Sequence, residues 1–118
     1  MNKEGCLFCR SIRGDVPATR VHEDEQVLAI RDINPQAPVH VLVIPKDHVA
    51  TIGDSLETVN APNRLFALFH AAGKLAVELG IQRSGYRVVV NSGAEGGQTV
   101  DHLHLHLLGG RQMVWPPG

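Results

Sequence analysis

The sequence predicts an α+β fold, a five-stranded antiparallel meander sheet with one long and one short helix. Two observations carry this. Five short segments rich in β-branched and apolar residues are separated by turn-forming residues, and one stretch repeats its apolar residues at three- and four-residue steps. Sequential strands with short links favour an antiparallel sheet with helices against it. The chain of 118 residues fits a single domain, 1–118, large enough to bury roughly two thirds of its extended surface in one core.

Cys6 to Arg13 is short and mixed, and Gly14 followed by Pro17 stops it, which gives one or two helical turns and then a loop. Arg20–Glu23 and Gln26–Arg31 are strands about the acidic turn Glu23-Asp24-Glu25. Two prolines in Asp32-Ile33-Asn34-Pro35-Gln36-Ala37-Pro38 forbid regular pairing there, and an apolar strand follows from Val39 to Pro45. Lys46 to Asn60 is a connection with a helical turn around Ser55-Leu56-Glu57. Pro62 opens the long helix, which runs to about Leu79 with Leu65, Leu68, Phe69, Ala72, Leu75, Ala76 and Leu79 on one stripe, and Gly80 stops it. Gly85–Asn91 is a strand centred on three valines, and Ser92–Thr99 is a glycine-rich connection to a last strand.

That last strand, His102-Leu103-His104-Leu105-His106-Leu107-Leu108, alternates histidine with leucine. A strand turns successive side chains to opposite faces, so the three imidazoles line one face about 6.5 to 7 Å apart while the leucines pack on the other. A core strand seldom gives a whole face to groups that titrate near neutrality, which marks the row as chemical. Gly96-Gly97-Gln98-Thr99 arrives just before it, where backbone N–H groups and the Thr99 hydroxyl can surround an anion held over the imidazoles. Three chemistries are open to such a row: covalent attack by a neutral imidazole, metal-activated water, and acid–base catalysis. The anion loop favours the first. The metal reading lacks a third ligand near the strand, and Gly-x-Ser-x-Gly is absent. His40, alone in an apolar strand, reads as a satisfied core group unless other histidines converge on it.

Eleven Lys and Arg against twelve Asp and Glu give a net charge of -1, with no basic patch for a nucleic-acid partner. Met1 to Gly5 is polar and leads into no long apolar run, so neither a signal peptide nor a membrane span is expected, and the chain reads as cytoplasmic. Cys6-Leu7-Phe8-Cys9 holds the only cysteines, a spacing that in a reducing compartment favours redox or metal chemistry. His22 and His70 read as surface or helix-face groups, and Trp115 is large enough to need something to dock on.

The sequence resembles the histidine-triad (HIT) superfamily of nucleotide hydrolases and transferases, and within it the Hint branch, from Cys6 to Gly118. The triad at 102–108 matches the pattern His-φ-His-φ-His-φφ, with φ hydrophobic. Asp32 to Pro45, Gly96-Gly97-Gln98 and the ending Gly109-Gly110-Arg111-Gln112-Met113 with Trp115-Pro116-Pro117-Gly118 look like the Hint branch. The resemblance implies the HIT fold and a homodimeric purine nucleoside phosphoramidase that cleaves a P–N or related bond at the α-phosphate of AMP or GMP derivatives. It makes His104 the nucleophile, backed by a hydrogen bond from His40, with His106, Asn91 and the backbone of Gly97 and Thr99 on the phosphate, Gln98 beside them and the Thr99 hydroxyl toward the leaving group. Asp32 binds the ribose hydroxyls, Phe8, Ile30, Arg31 and Ile33 enclose the base, and Trp115 lies near the partner's site. The long helix and the Gly85–Asn91 strand meet their copies across a two-fold axis. Catalysis requires no cofactor. Some members bind structural zinc through four residues that correspond here to Cys6, Cys9, His48 and His102. Asp101 and Val114 depart from the tyrosine and histidine frequent in the branch, which bears on the leaving group. The alternatives are a nucleotide-binding scaffold with incidental activity and a dinucleoside polyphosphate hydrolase of the Fhit type.

Overall fold

The computed structural model describes residues 5–118, so the reading of the polar start falls, for 1–4, outside the described residues. The elements are α1 (Leu7–Arg13), β1 (Arg20–Glu23), β2 (Val27–Arg31), β3 (Val39–Pro45), α2 (Ile52–Leu56), α3 (Ala61–Glu78), β4 (Tyr86–Val89) and β5 (Leu105–Gly109). All neighbouring strands are antiparallel, in the order β1-β2-β3-β5-β4. The α+β class and the five strands are as the sequence predicts. Two details differ. The last two strands are exchanged relative to a strict meander, because the chain leaves β3 through α3 and returns to the sheet edge as β4 before β5 fills the gap. The turn expected around Ser55 is a third, five-residue helix, α2, capped by the Thr51 side chain on the Asp54 N–H.

α1 is capped at its start by Cys6, whose Sγ accepts from the Cys9 N–H, and at its end by Gly14, whose φ of 83° is the left-handed conformation that glycine adopts without strain. α3 takes Pro62 in its first turn, where the missing N–H costs nothing.

The sheet separates two apolar clusters. On one face Val27, Ala29, Val41, Val43, Leu105 and Leu107 pack against Leu68, Ala72, Leu75 and Ala76 of α3, with Leu103 beside them. On the other face Leu28, Ile30, Leu42 and Ile44 meet Cys6, Phe8 and Cys9 around α1. The α3 stripe therefore buries the face that carries the triad leucines, and α1 covers only part of the opposite face, leaving a gap over His104 and His106. Among the described residues no helix is long and apolar enough to cross a membrane.

Regular pairing of β5 starts at Leu105, not at His102. The register sets Leu105 against Val43 and Leu107 against Val41, so Leu103 falls opposite Pro45, which has no N–H to continue the ladder. The Leu103 N–H instead donates to Val49 O at 2.7 Å. His102 and His104 thus lie on a lead-in to the strand, yet the alternation of faces survives. β4 likewise stops at Val89, two residues short of the expected Asn91.

Candidate active site and metal centre

Two groups of histidines converge on the α1 side of the sheet, and their hydrogen bonds fix which ring nitrogen carries each proton. The Gln36 N–H donates to His40 Nδ1 at 3.0 Å, so the neutral His40 ring holds its proton on Nε2, which donates to His106 Nδ1 at 2.9 Å. His106 therefore carries its own proton on Nε2. His104 Nδ1–H donates to the His102 carbonyl at 2.7 Å, which leaves a lone pair on His104 Nε2. The middle histidine is set as a nucleophile or base, and the third is set as a donor.

This corrects one expectation. The hydrogen bond from His40 falls on His106, not on His104, because His40 stands opposite Leu108 and His106 opposite Leu42, which makes the two histidines diagonal neighbours on one face. His104 is held by main chain and by rings: Phe8 lies edge-on at 4.9 Å between centroids and His106 at 5.0 Å.

Burial keeps these rings neutral. It lowers His104 from the usual imidazole range and lowers His40 against the opposing pull of Asp32, and with the nearby His104 and His40 it brings His106 down to about 4. Below about pH 6.5 the unfolded chain takes up protons at these positions that the folded chain refuses, for His106 down to about pH 4, so stability falls as the pH drops. The slope is at most about 1.4 kcal/mol per pH unit for each such group. Urea midpoints at pH 7, 6 and 5 should fall accordingly, and less steeply in His106→Asn, a difference that separates this ring from the other histidines. Parallel slopes would refute the assignment.

The gap beside α1 is a cavity of about 260 Å³. Of the residues the sequence assigned to nucleotide binding, Phe8, Ile30, Arg31, Asp32, Ile33, Thr99, His104 and His106 line it, with Ile33 almost fully exposed at its rim. Asn91, Gly97 and Gln98 do not line it, and neither does Trp115, which stands in solvent in this chain. The Gln98 amide is instead hydrogen-bonded to the backbone of Ala50, Val100 and Gly93. The sequence reading missed Leu7 and Ser11, on the face of α1 that Phe8 shares, and the segment Val16-Pro17-Ala18, which follows the Gly14 stop and closes one wall. A helix-face reading of 7–11 would have found the first two. Asp32 is turned inward: its Oδ1 accepts from the Asn34 N–H at 2.8 Å and its Oδ2 lies 3.4 Å from His40 Nε2, each oxygen keeping a lone pair for a ligand.

The second group lies behind the first. Cys6, Cys9, His48 and His102 bring their ligand atoms within 4.8 Å of one another, and the cysteines are not joined in a disulfide. Cys6 Sγ and Cys9 Sγ are 3.3 and 3.6 Å from His102 Nδ1, Cys9 Sγ is 3.3 Å from His48 Nδ1, and the two Nδ1 atoms are 3.1 Å apart. A tetrahedron with Zn–N of about 2.0 Å and Zn–S of about 2.3 Å has edges of about 3.3 to 3.8 Å, so these four separations are close to ligand spacing. The proton count agrees. His102 Nε2–H donates to the Pro45 carbonyl at 2.8 Å, which leaves Nδ1 with a lone pair facing the sulfurs, and burial lowers this ring to about 4. Asp32, His40 and His106 are also close enough to suggest a cation. There the protons disagree, because Gln36 occupies His40 Nδ1 and forces the ring proton onto Nε2, the atom that would have to ligate.

Residues 13–113 match the family model described as HIT domain. The chain belongs to the HIT domain family. Relatives place this HIT protein with the Hint-like branch. It is 48% identical over 112 residues to the 14 kDa zinc-binding protein of Zea mays, covering 95% of this chain and 87% of that one. It is 45% identical over 112 residues to Adenylylsulfatase HINT1 of Arabidopsis thaliana, covering 95% and 76%. The crystal structure of a HIT family hydrolase from Legionella pneumophila superimposes with a TM-score of 0.92 at 53% identity, over 97% of this chain and all of that one.

Proposed function

We propose that this HIT protein is a nucleotide hydrolase, and specifically a purine nucleoside phosphoramidase that works through a covalent nucleotidyl-histidine on His104. The observation that carries the reading is the His104 Nδ1–H bond to the His102 carbonyl, which leaves Nε2 unprotonated on a ring that lines the cavity. The similarity to the Legionella HIT family hydrolase and to the Arabidopsis adenylylsulfatase supports cleavage at an adenylyl phosphorus.

In this reading His104 Nε2 attacks the α-phosphorus in line, the P–N bond breaks, and the amine leaves with a proton relayed from solvent through the Thr99 hydroxyl. Water then attacks the same phosphorus, the P–Nε2 bond breaks, the proton that the water loses returns to solvent, and the nucleoside monophosphate is released with His104 neutral again. His106, with its Nε2–H, donates to a non-bridging phosphate oxygen, and the proton from His40 keeps that tautomer in place. Asp32 meets the ribose, while Phe8, Ile30 and Ile33 hold the base. Rapid quenching with labelled substrate should trap an acid-labile adduct on His104. Tight binding of the monophosphate with no turnover would instead favour the scaffold alternative.

Zinc on Cys6, Cys9, His48 and His102 fits the donor set, and the zinc-binding name of the maize relative supports it. It would fasten α1 and the segment after β3 to the lead-in of β5, a structural role outside the reaction. Thiol ligands of this kind suit a reducing, cytoplasmic setting.

We also propose a homodimer through α3 and β4. Phe66, Phe69, Val77 and Tyr86 are exposed, β4 is an open sheet edge, and beside it a cavity of about 550 Å³ lies between Ser84–Arg87 and Gly110–Met113. The tail is held there by the Arg87 guanidinium on the Val114 carbonyl, which leaves Trp115 exposed, and in a dimer of this kind that ring would reach the partner's site. A monomer by light scattering at micromolar concentration would refute the dimer.

A further inference from the structure

Gln98 sits next to two residues that line the cavity, Thr99 and Val100, but its own side chain points elsewhere and is fully used. Its Nε2 donates to the Ala50 carbonyl at 2.7 Å and to the Val100 carbonyl at 2.9 Å, and its Oε1 accepts from the Gly93 N–H at 2.9 Å. An amide offers two donors and one acceptor group, and two carbonyls and one N–H meet them, so no other orientation of the amide satisfies the set.

The main chain of Gln98 closes the same ring, its N–H donating to the Gly93 carbonyl at 3.1 Å, while the Gly97 N–H donates to Ala94. Gly93 and Gly97 have positive φ, and a Cβ on Gly96 would strike the Ser92 carbonyl oxygen, so the loop between them has one shape available. Gln98 is the clasp of that loop. It also moors it to Ala50, in a segment fixed by the bond from Leu103 N–H to Val49 O, just before His104.

We propose that Gln98 is a positioning residue that touches no substrate and instead sets the backbone of Thr99, the next residue and part of the cavity wall, against the α-phosphate in the transition state. This rests on the hydrolase reading above. Donors aimed in advance at developing charge act on kcat, and losing one costs about 100-fold or more, so a slackened clasp should cost about 30-fold.

The test compares the native protein with Gln98→Glu, which keeps an acceptor for Gly93 but turns an oxygen on two carbonyls, and with the uncharged Gln98→Met in case the first variant folds poorly. The substrates are the two α-phosphorothioate diastereomers of an adenosine phosphoramidate. The expected result is a fall in kcat of about 30-fold with KM within about threefold, and a loss of most of the native preference between diastereomers, which a purely structural defect would not move. A variant with native kcat and native diastereomer preference overturns the inference, and so does a rise in KM alone, the mark of a direct ligand. If the native protein turns over neither diastereomer, nor the parent phosphoramidate, the hydrolase reading fails and takes this inference with it.

Discussion

Replacing His104 with alanine should lower turnover of an adenosine phosphoramidate by roughly 10⁴-fold or more, while the monophosphate still binds within a few-fold of native affinity. The asymmetry follows from the site. A nucleophile contributes to the transition state and little to the ground state, whereas the cavity walls and His106 remain in the variant. The fold should survive as well, because the leucines on either side, buried against α3, hold the segment without the imidazole. Substrate turnover near the native rate, or a trapped label on another residue, would overturn the mechanism. The corresponding change at His40 should cost less, since that ring acts through His106 and its loss leaves His104 anchored to the His102 carbonyl.

The second large effect concerns the metal centre. Protein purified without chelator should contain about one zinc per chain by elemental analysis, and Cys6→Ser or Cys9→Ser should lose it. Structural zinc contributes about 10 to 16 kcal/mol in small peptides that fold only with metal. Here the two sheet clusters supply most of the stability, so a loss of about 3 to 5 kcal/mol is expected, seen as a melting temperature lower by about 10 to 20 °C. Brief chelation at moderate temperature should leave turnover largely intact, because Cys6 and His102 are fully buried and release is slow. Metal-free protein with an unchanged melting temperature in both serine variants would remove the centre. Immediate loss of turnover on chelation, restored by zinc, would favour metal-activated water over covalent attack.

Much of this was legible in the residues themselves. Strict alternation of histidine and leucine put the two sets on opposite faces, and both faces are as that period requires, even though the ladder itself begins only at Leu105. The cysteine pair, His48 and His102 could be named as one set through the family resemblance, and they meet. What the sequence could not carry was register. Whether His40 reaches His104 or His106 depends on which residue of β5 stands opposite it, a relation between strands more than sixty residues apart, and a shift of two residues would have exchanged the answer. The exchange of β4 and β5 was hidden for a similar reason, since a connection as long as the one through α3 can deliver the chain to either position. The family resemblance sets Gln98 beside the phosphate ligands, but its side chain does not line the cavity. Its real partners, carbonyls and one N–H, carry no residue-type signature.

Position 102 holds two inheritances that can part company. Its imidazole belongs to the cysteine–histidine cluster, but the atom that orients the His104 ring is its carbonyl oxygen, which every amino acid supplies. A lineage could therefore discard the cysteines and His102 together, replace the cluster with ordinary packing, and still pass on the same proton arrangement at His104. The proton arrangement at His104 does not depend on the cluster behind it, so the two can be lost, gained or engineered on separate histories.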